Sequence, residues 1–184
     1  FVTAVKAFQR QNKSKQTGVI NPAERQALSE LVRPLQEQVG WRIVQDQVTG
    51  SRLGVPSKLA PIASVSKTGS MWSSQQGQVR IETFRIVAPD TPLADIFERM
   101  KHEPSERKVE QHALRPDSFA LIGMQGLKKF HVRAYAHNGE VRGITILYDQ
   151  AVDGTMDPLV GPLAHSYQPF VNMAPRALGF GQCP

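Results

Sequence analysis

The chain has 184 residues, of which 40% are apolar, and it carries a formal net charge of +6. This length allows one buried core of about 110 to 140 residues with a small appendage. The single cysteine, Cys183, excludes an internal disulfide, and no apolar run is long enough for a membrane-spanning helix. The basic charge favours anionic partners without selecting one.

The first 40 residues predict two helices. Val2, Val5 and Phe8 recur at the spacing of one helical face. A second helix has a complete start signal, because Asn21 can cap it and Pro22 suits its first position. Its third residue, glutamate, completes a capping box by bonding back to the cap amide.

The second helix is expected to carry a continuous apolar stripe. Pro34 lies inside this stripe and should kink the helix or end it early, and Gly40 closes the segment. The stripe has the three- and four-residue spacing of one helical face and consists of Leu28, Leu31, Val32, Leu35 and Val39.

The two predicted helices contain the string AV..FQ at Ala4–Gln9, followed by G-V-I-N-P at Gly18–Pro22. This string resembles the signature of the small three-helix peptidoglycan-binding domain of bacterial wall-associated proteins. The resemblance implies a periplasmic or otherwise extracytoplasmic location, with peptidoglycan or another anionic wall component as partner. The family's first helix would precede Phe1, so we expect residues 1–40 to be a two-helix remnant. Its uncovered apolar face would pack on the next domain or another molecule, or remain loose.

Strands and turns replace the helical spacing after Gly40. Trp41–Val48 and Ser51–Val55 predict a strand and its return, which ends at Pro56. Ser64–Ser74 is rich in serine and glycine and predicts a loop. Gln78–Val87 predicts a strand whose apolar phase slips between Ile81 and Phe84, which either a β-bulge or a change to two-sided burial would explain.

A helix should open at Thr91–Pro92, with one apolar stripe to lay on a sheet. The stretches Val109–Leu114 and Ser118–Gly123 predict two further strands. A last helix is expected to begin near Asp157–Pro158. Beyond Phe170 the chain predicts an irregular tail.

Asn138-Gly139 predicts a two-residue hairpin turn, because both central residues of a type I′ turn need positive φ. The register that follows pairs Tyr135 with Arg142 and extends outward to Phe130 opposite Leu147. One face of this hairpin is apolar and contains small residues where a helix could approach closely. The other face is mixed, with histidine, arginine and tyrosine side chains.

These elements predict an α+β fold in which helices pack on one antiparallel β-sheet. The order of elements, a second strand ending in Gly54–Pro56 and a terminal helix returning over the sheet resemble the PsbP-like sandwich. That resemblance implies a binding or assembly module. The predicted organisation is a partial helical module at 1–40, the sandwich at 41–170 and the tail at 171–184.

Catalytic motifs are weak in this sequence. Ser64–Gly69 contains both S-x-x-K and K-T-G, but Lys67 alone would have to supply two lysines that serine enzymes place apart, so a flexible surface loop is favoured. His131 and His137 share a strand face but lie about 20 Å apart, too far to share a metal. We therefore predict no catalytic residue, no metal site and no cofactor.

The mixed hairpin face supplies the candidate ligand-binding residues, Arg133, Tyr135 and Arg142. Tyr135 directly opposite Arg142 can make a cation–π contact worth about 0.5 to 1 kcal/mol. The alternative is that the pair only stabilises the hairpin.

The sequence as a whole predicts a non-catalytic segment that binds or scaffolds at the cell envelope and is associated with peptidoglycan through its parent protein. A protein partner or a neighbouring domain is a second class of partner. One alternative is the accessory or regulatory region of a larger envelope hydrolase or protease. The other is a basic polyanion or nucleic-acid binder, which ranks last because no motif of the known nucleic-acid modules occurs.

Overall fold

The computed structural model describes residues 2–171, and the chain divides into two compact units between Gln38 and Val39. The first unit contains two helices, α1 (Val2–Gln11) and α2 (Pro22–Val39), as the apolar spacing predicts. The predicted irregular tail lies outside the described residues, except for Val171.

The start of α2 has the predicted capping box. The side-chain oxygen of Asn21 accepts the Glu24 N–H at 2.9 Å, and the Glu24 carboxylate accepts the Asn21 N–H at 3.0 Å. The helix continues through Pro34 to Val39, so it does not end early. Proline removes one helical amide, and the exposed position leaves the freed carbonyl open to water. Leu31 and Leu35 are each 61% exposed, in agreement with the predicted uncovered stripe.

The second unit has the predicted α+β fold. A two-stranded sheet is formed by β1 (Trp41–Gln45) and β2 (Arg52–Pro56). Seven antiparallel strands form the main sheet in the order β3-β4-β5-β9-β8-β7-β6. Their bounds are β3 (Ile62–Val65), β4 (Ser70–Ser73), β5 (Val79–Val87), β6 (Arg107–Arg115), β7 (Ser118–Gln125), β8 (Lys128–His137) and β9 (Glu140–Asp149).

Helices cover both faces of the main sheet. Helix α3 (Leu93–His102) contacts β6 and β7, and its buried Ile96 and Phe97 enter one core. Helix α4 (Asp153–Ser166), which follows a 3-10 turn, contacts β2 and β9 and buries Met156 in a second core. The sheet is therefore the middle layer of a sandwich, and each face has its own apolar core.

Strand β5 supplies residues to both cores. Its register with β9 is continuous from Val79 to Val87, so no bulge explains the slip in apolar phase. Ile81 enters the core under α4, whereas Phe84 packs against the core under α3. Two-sided burial, one of the two predicted alternatives, is the cause.

The β8–β9 hairpin has the predicted register at every pair from His137–Glu140 to Phe130–Leu147. Asn138 and Gly139 have φ of 48° and 74°, as the turn requires. We expected the small residues on this face to leave room for a helix, but the space at Gly143 is taken by an aromatic ring. A Cβ atom there would lie 2.1 Å from Cζ of Phe84, its cross-strand partner, so Gly143 makes room for that ring.

The serine- and glycine-rich stretch is a hairpin, so the prediction of a flexible surface loop was wrong. Strands β3 and β4 pair from Ile62–Ser73 to Val65–Ser70. The hydroxyl of Ser66 accepts the N–H groups of Thr68 and Gly69, which closes the turn around Lys67. Side-chain capping of this kind makes a serine-rich turn regular without apolar residues.

Two other boundaries differ from the predicted ones. Strand β1 ends at Gln45, because the side chain of Asp46 accepts the Val48 N–H at 3.0 Å and begins a turn. Helix α4 starts at Asp153 and contains Pro158 and Pro162, because burial of Met156 holds its first turns against the core. Among the described residues, no helix is both long and apolar enough to cross a membrane.

Candidate functional site

The structure brings the three predicted ligand-binding residues to one face of the β8–β9 hairpin. Tyr135 lies directly opposite Arg142, and Arg133 is opposite Ile144. The Tyr135 ring packs against the core under α4, with its centroid 6.2 Å from that of Tyr167. The strand positions in this prediction are confirmed, and ligand binding by them remains a prediction.

Groups within the chain already engage Arg142. Its guanidinium donates to the Glu140 carboxylate at 2.8 Å and to the Pro169 carbonyl at 3.1 Å. It also lies 4.7 Å from the centroid of the Phe170 ring, and its side chain is only 19% exposed. These contacts favour the alternative in which Arg142 stabilises the fold.

Glu140 joins two arginines on this face. It forms ion pairs with Arg85 and Arg142, and the hydrogen bond from Arg85, followed by that from Arg142, lowers the pKa of its carboxyl group. Sequence reasoning missed this role, although Glu140 and Arg142 share a strand face two positions apart. Nothing local could indicate Phe170, which reaches the same face from beyond α4.

A second polar cluster lies where α4 meets β8 and β9. The Tyr148 hydroxyl donates to Asp157 at 2.6 Å, and Lys129 donates to the same carboxylate at 2.9 Å. Nε2 of His131 is 3.5 Å from the Tyr148 oxygen, and the two rings stack with centroids 6.1 Å apart. The Tyr148 hydrogen bond, followed by that from Lys129, lowers the pKa of Asp157, and burial raises the pKa of Tyr148. The cluster therefore holds α4 to the sheet through ionised Asp157.

We expect His131 to make the stability of this unit depend on pH. Burial lowers its pKa from the ordinary value of 6.5, and Arg133 and Lys129 act in the same direction, against Asp157. The folded chain then binds fewer protons than the unfolded chain, so the free energy of unfolding falls as the pH drops below this value. We expect His131→Gln to lose less stability than the original chain between about pH 7.5 and pH 5.5.

Urea unfolding at a series of pH values measures this difference. His102→Gln is the matched control, because it makes the same change at a side chain that is 77% exposed and lies outside both cores. If the stability curves of the original chain and His131→Gln run parallel, His131 does not contribute.

A surface groove of about 460 Å³ lies beside the first turns of α2. Ile20 and Pro22 give it an apolar part, and Arg25, Gln26 and Ser29 add a cation, an amide and a hydroxyl. Arg25 is exposed and has no ion pair among residues 2–171. None of these residues was among the predicted ligand-binding residues, although the helical spacing of Pro22, Gln26 and Ser29 on one face was a usable signal.

The turn between α1 and α2 is organised around the buried side chain of Gln9. Its amide oxygen accepts the Gly18 N–H at 2.9 Å. Its amide nitrogen donates to the Val19 carbonyl at 3.0 Å and to the Glu24 carboxylate at 3.1 Å. The Asn21 N–H, followed by Ser14 and Gln9, lowers the pKa of Glu24. Polar residues of the string AV..FQ and G-V-I-N-P thus form one hydrogen-bonded network that positions the groove.

The described residues contain no group of three histidine, cysteine, aspartate or glutamate side chains close enough to hold a metal ion. The sandwich unit has a shallow surface groove of about 360 Å³ along the β3–β4 turn. That groove is lined by Ser64, Val65, Ser66, Thr68, Gly69, Ser70, Met71, Arg80, Glu82, Thr83 and Phe84.

Comparison with known proteins bears on the fold. No family model matches the chain, and no curated protein matches it. Among solved structures, the chain is similar to the solution structure of cyanobacterial PsbP (CyanoP) from Synechocystis sp. PCC 6803, with a TM-score of 0.52 and 11% sequence identity. The match covers 70% of this chain and 91% of that chain. At this identity the likeness shows the fold alone, and the fold is the PsbP-like α+β sandwich.

Proposed function

We propose that this chain is a non-catalytic segment that binds or scaffolds at the bacterial cell envelope, in the periplasm or another extracytoplasmic space. The observation that carries the proposal is the buried network around Gln9. It gives a structural role to the polar residues through which the sequence resembles peptidoglycan-binding domains. The residues of the motif therefore form one hydrogen-bonded structure. This supports the proposal that the chain shares the function of the domains it resembles as well as their motif.

The groove beside α2 has the chemistry that a wall polymer needs. Peptidoglycan presents sugar rings, amides and carboxylates, so a site for it combines an apolar surface with amide, hydroxyl and cationic groups. Ile20 and Pro22 supply the surface, and Arg25 supplies a cation for a carboxylate. The net charge of +6 acts in the same direction at longer range.

Sedimentation with insoluble peptidoglycan tests the proposal. We expect the chain to pellet with the polymer, and Arg25→Ala to weaken binding about fivefold through loss of one charge-assisted contact worth ~1 kcal/mol. Arg33→Ala is the matched control, because Arg33 is exposed on the same helix but lies outside the groove. Its replacement removes the same charge.

The two variants separate specific binding from general attraction between charges. Equal weakening by Arg25→Ala and Arg33→Ala would assign binding to net charge and would reject the groove. A chain that stays wholly in the supernatant at low salt would reject wall binding itself.

A further inference from the structure

The main sheet ends in two edge strands that differ in their protection. The outer strand β6 carries Arg107, Lys108, Glu110 and Arg115, and its register shifts between Val109 and Gln111. Charges and bulges of this kind prevent another strand from adding to an edge. The opposite edge strand, β3, has neither charge nor proline in Ile62–Val65, and its pairing with β4 is regular.

The backbone of β3 presents unused hydrogen-bonding groups. The Ser66 N–H donates to the Gly69 carbonyl across the turn, so alternate residues, Ser64 and Ile62, direct their backbone groups toward β4. The groups of Ala63 and Val65 therefore point away from the sheet. Ser70, opposite Val65, directs its N–H to Thr83 on β5, in agreement with this alternation. Among residues 2–171, nothing hydrogen-bonds to these outward groups.

Side chains along β3 are accessible to a partner. All four are exposed, and Val65 reaches 77% and Ile62 45%. Ala63 shares a sheet face with Trp72, its cross-strand partner, which lies partly buried over the core under α4. An apolar side chain on an added strand would therefore extend an existing apolar row.

Charge near β3 specifies the chemistry of the partner. Lys67, in the turn, is the one charged residue between Leu59 and Val79. It is exposed and makes no ion pair within the described part of the chain. An acidic group at the end of an added strand would lie close to this ammonium and meet no competing acid from the hairpin itself.

We propose that β3 is a docking strand, to which an extended segment of a partner protein with alternating apolar side chains and an acidic end adds as an eighth strand. The outward groups of Ala63 and Val65 bond its backbone, and Lys67 pairs with its acidic end. The short length of β3 limits the number of hydrogen bonds, so the contact is weak and reversible. This surface belongs to the sandwich unit and is independent of the groove beside α2.

Amide hydrogen exchange read by NMR tests the docking strand. The probe is a short acetylated peptide of alternating valine and threonine with aspartate at each end. At a peptide concentration ten times the dissociation constant, we expect exchange at Val65 to slow about tenfold. Ala63→Pro should abolish this protection while keeping the fold, because it removes an N–H that the sheet does not use.

Reversal of charge tests the choice of partner. Lys67→Glu should weaken binding of the aspartate-ended peptide at least several-fold. The same variant should bind a lysine-ended peptide of otherwise identical sequence more tightly than the aspartate-ended one. Unchanged exchange at Val65 with every peptide would overturn the proposal. Protection that rises with protein concentration in the absence of peptide would also overturn it, since a second copy of the chain would then occupy the edge. N-methylation of the peptide valines must remove the protection if backbone bonding is its cause.

Discussion

Replacement of Asp46 with alanine is expected to lower the free energy of unfolding of the sandwich unit by about 4 kcal/mol. Asp46 is 2% exposed and lies in the turn after β1. Its carboxylate accepts hydrogen bonds from Ser70 and Thr83, both at 2.6 Å, and from the Thr49 hydroxyl. Alanine would leave these hydroxyls buried without their acceptor, and each unsatisfied group costs about 1 to 3 kcal/mol.

The carboxylate of Asp46 is stabilised in its charged form. Burial alone would raise its pKa, but the hydrogen bonds from Ser70, Thr49, Thr83 and the Val48 N–H together lower it. Asp46→Asn keeps the shape and one acceptor oxygen but loses the charge, so it should cost less than alanine and more than a surface change. We therefore expect the free energy of unfolding to decrease in the order original chain, Asp46→Asn, Asp46→Ala.

Urea unfolding followed by tryptophan fluorescence measures these changes, because Trp41 and Trp72 both pack against the core that the Asp46 turn adjoins. Asp90→Ala is the matched control, since Asp90 is an exposed loop aspartate without a hydrogen bond among residues 2–171. It should change the free energy of unfolding by less than about 0.5 kcal/mol. Equal effects of Asp46→Ala and Asp90→Ala would show that the cluster contributes no stability.

The polar cluster at Asp46 shows where sequence reasoning fails. The residue lay inside a predicted strand, although an aspartate shortly before Thr49-Gly50 is also a signal for a side-chain-capped turn. Its partners Ser70 and Thr83 are 24 and 37 positions away, so only the assembled sheet brings them together. The β3–β4 hairpin was missed for a related reason, because hydroxyl groups rather than apolar side chains close its turn.

Elements with local information were predicted well. The Asn138-Gly139 turn fixed the β8–β9 register because its backbone conformation depends on two adjacent residues. The capping box of α2 was predictable for the same reason. The candidate site was predictable only in part. Pairing placed Tyr135 opposite Arg142, but the contact of Arg142 with Phe170 depends on the path of the chain after α4.

The helical unit allows an equally sharp test, because Gln9→Ala should destabilise it without affecting the sandwich. Gln9 is 1% exposed, and its loss removes the acceptor of the Gly18 N–H together with a donor to Glu24. Two buried polar groups would lose a partner, which costs about 3 kcal/mol in the free energy of local unfolding. Amide exchange in α1 and in the first turn of α2 should then accelerate about a hundredfold.

Gln11→Ala provides the matched control for this experiment. Gln11 lies on the same helix, is exposed and has no side-chain hydrogen bond among the described residues. The same glutamine-to-alanine change there should keep the amide exchange rates of α1 within about a factor of two of those in the original chain, since alanine favours the helix slightly. Sandwich amides should exchange at their original rates in both variants, because both apolar cores of the sandwich consist of residues from that unit alone.

The Gln9 variants also decide what the motif at the start of the chain does. Gln9→Glu keeps an acceptor for Gly18 but brings a second carboxylate to Glu24, so it should accelerate exchange at least as much as alanine. If Gln9→Ala and Gln9→Glu abolish sedimentation with peptidoglycan along with the helical structure, whereas Arg25→Ala weakens sedimentation with the structure intact, the network supports the groove and the groove binds. Normal exchange in both Gln9 variants would contradict the assignment of Gln9 as the residue that holds this unit together.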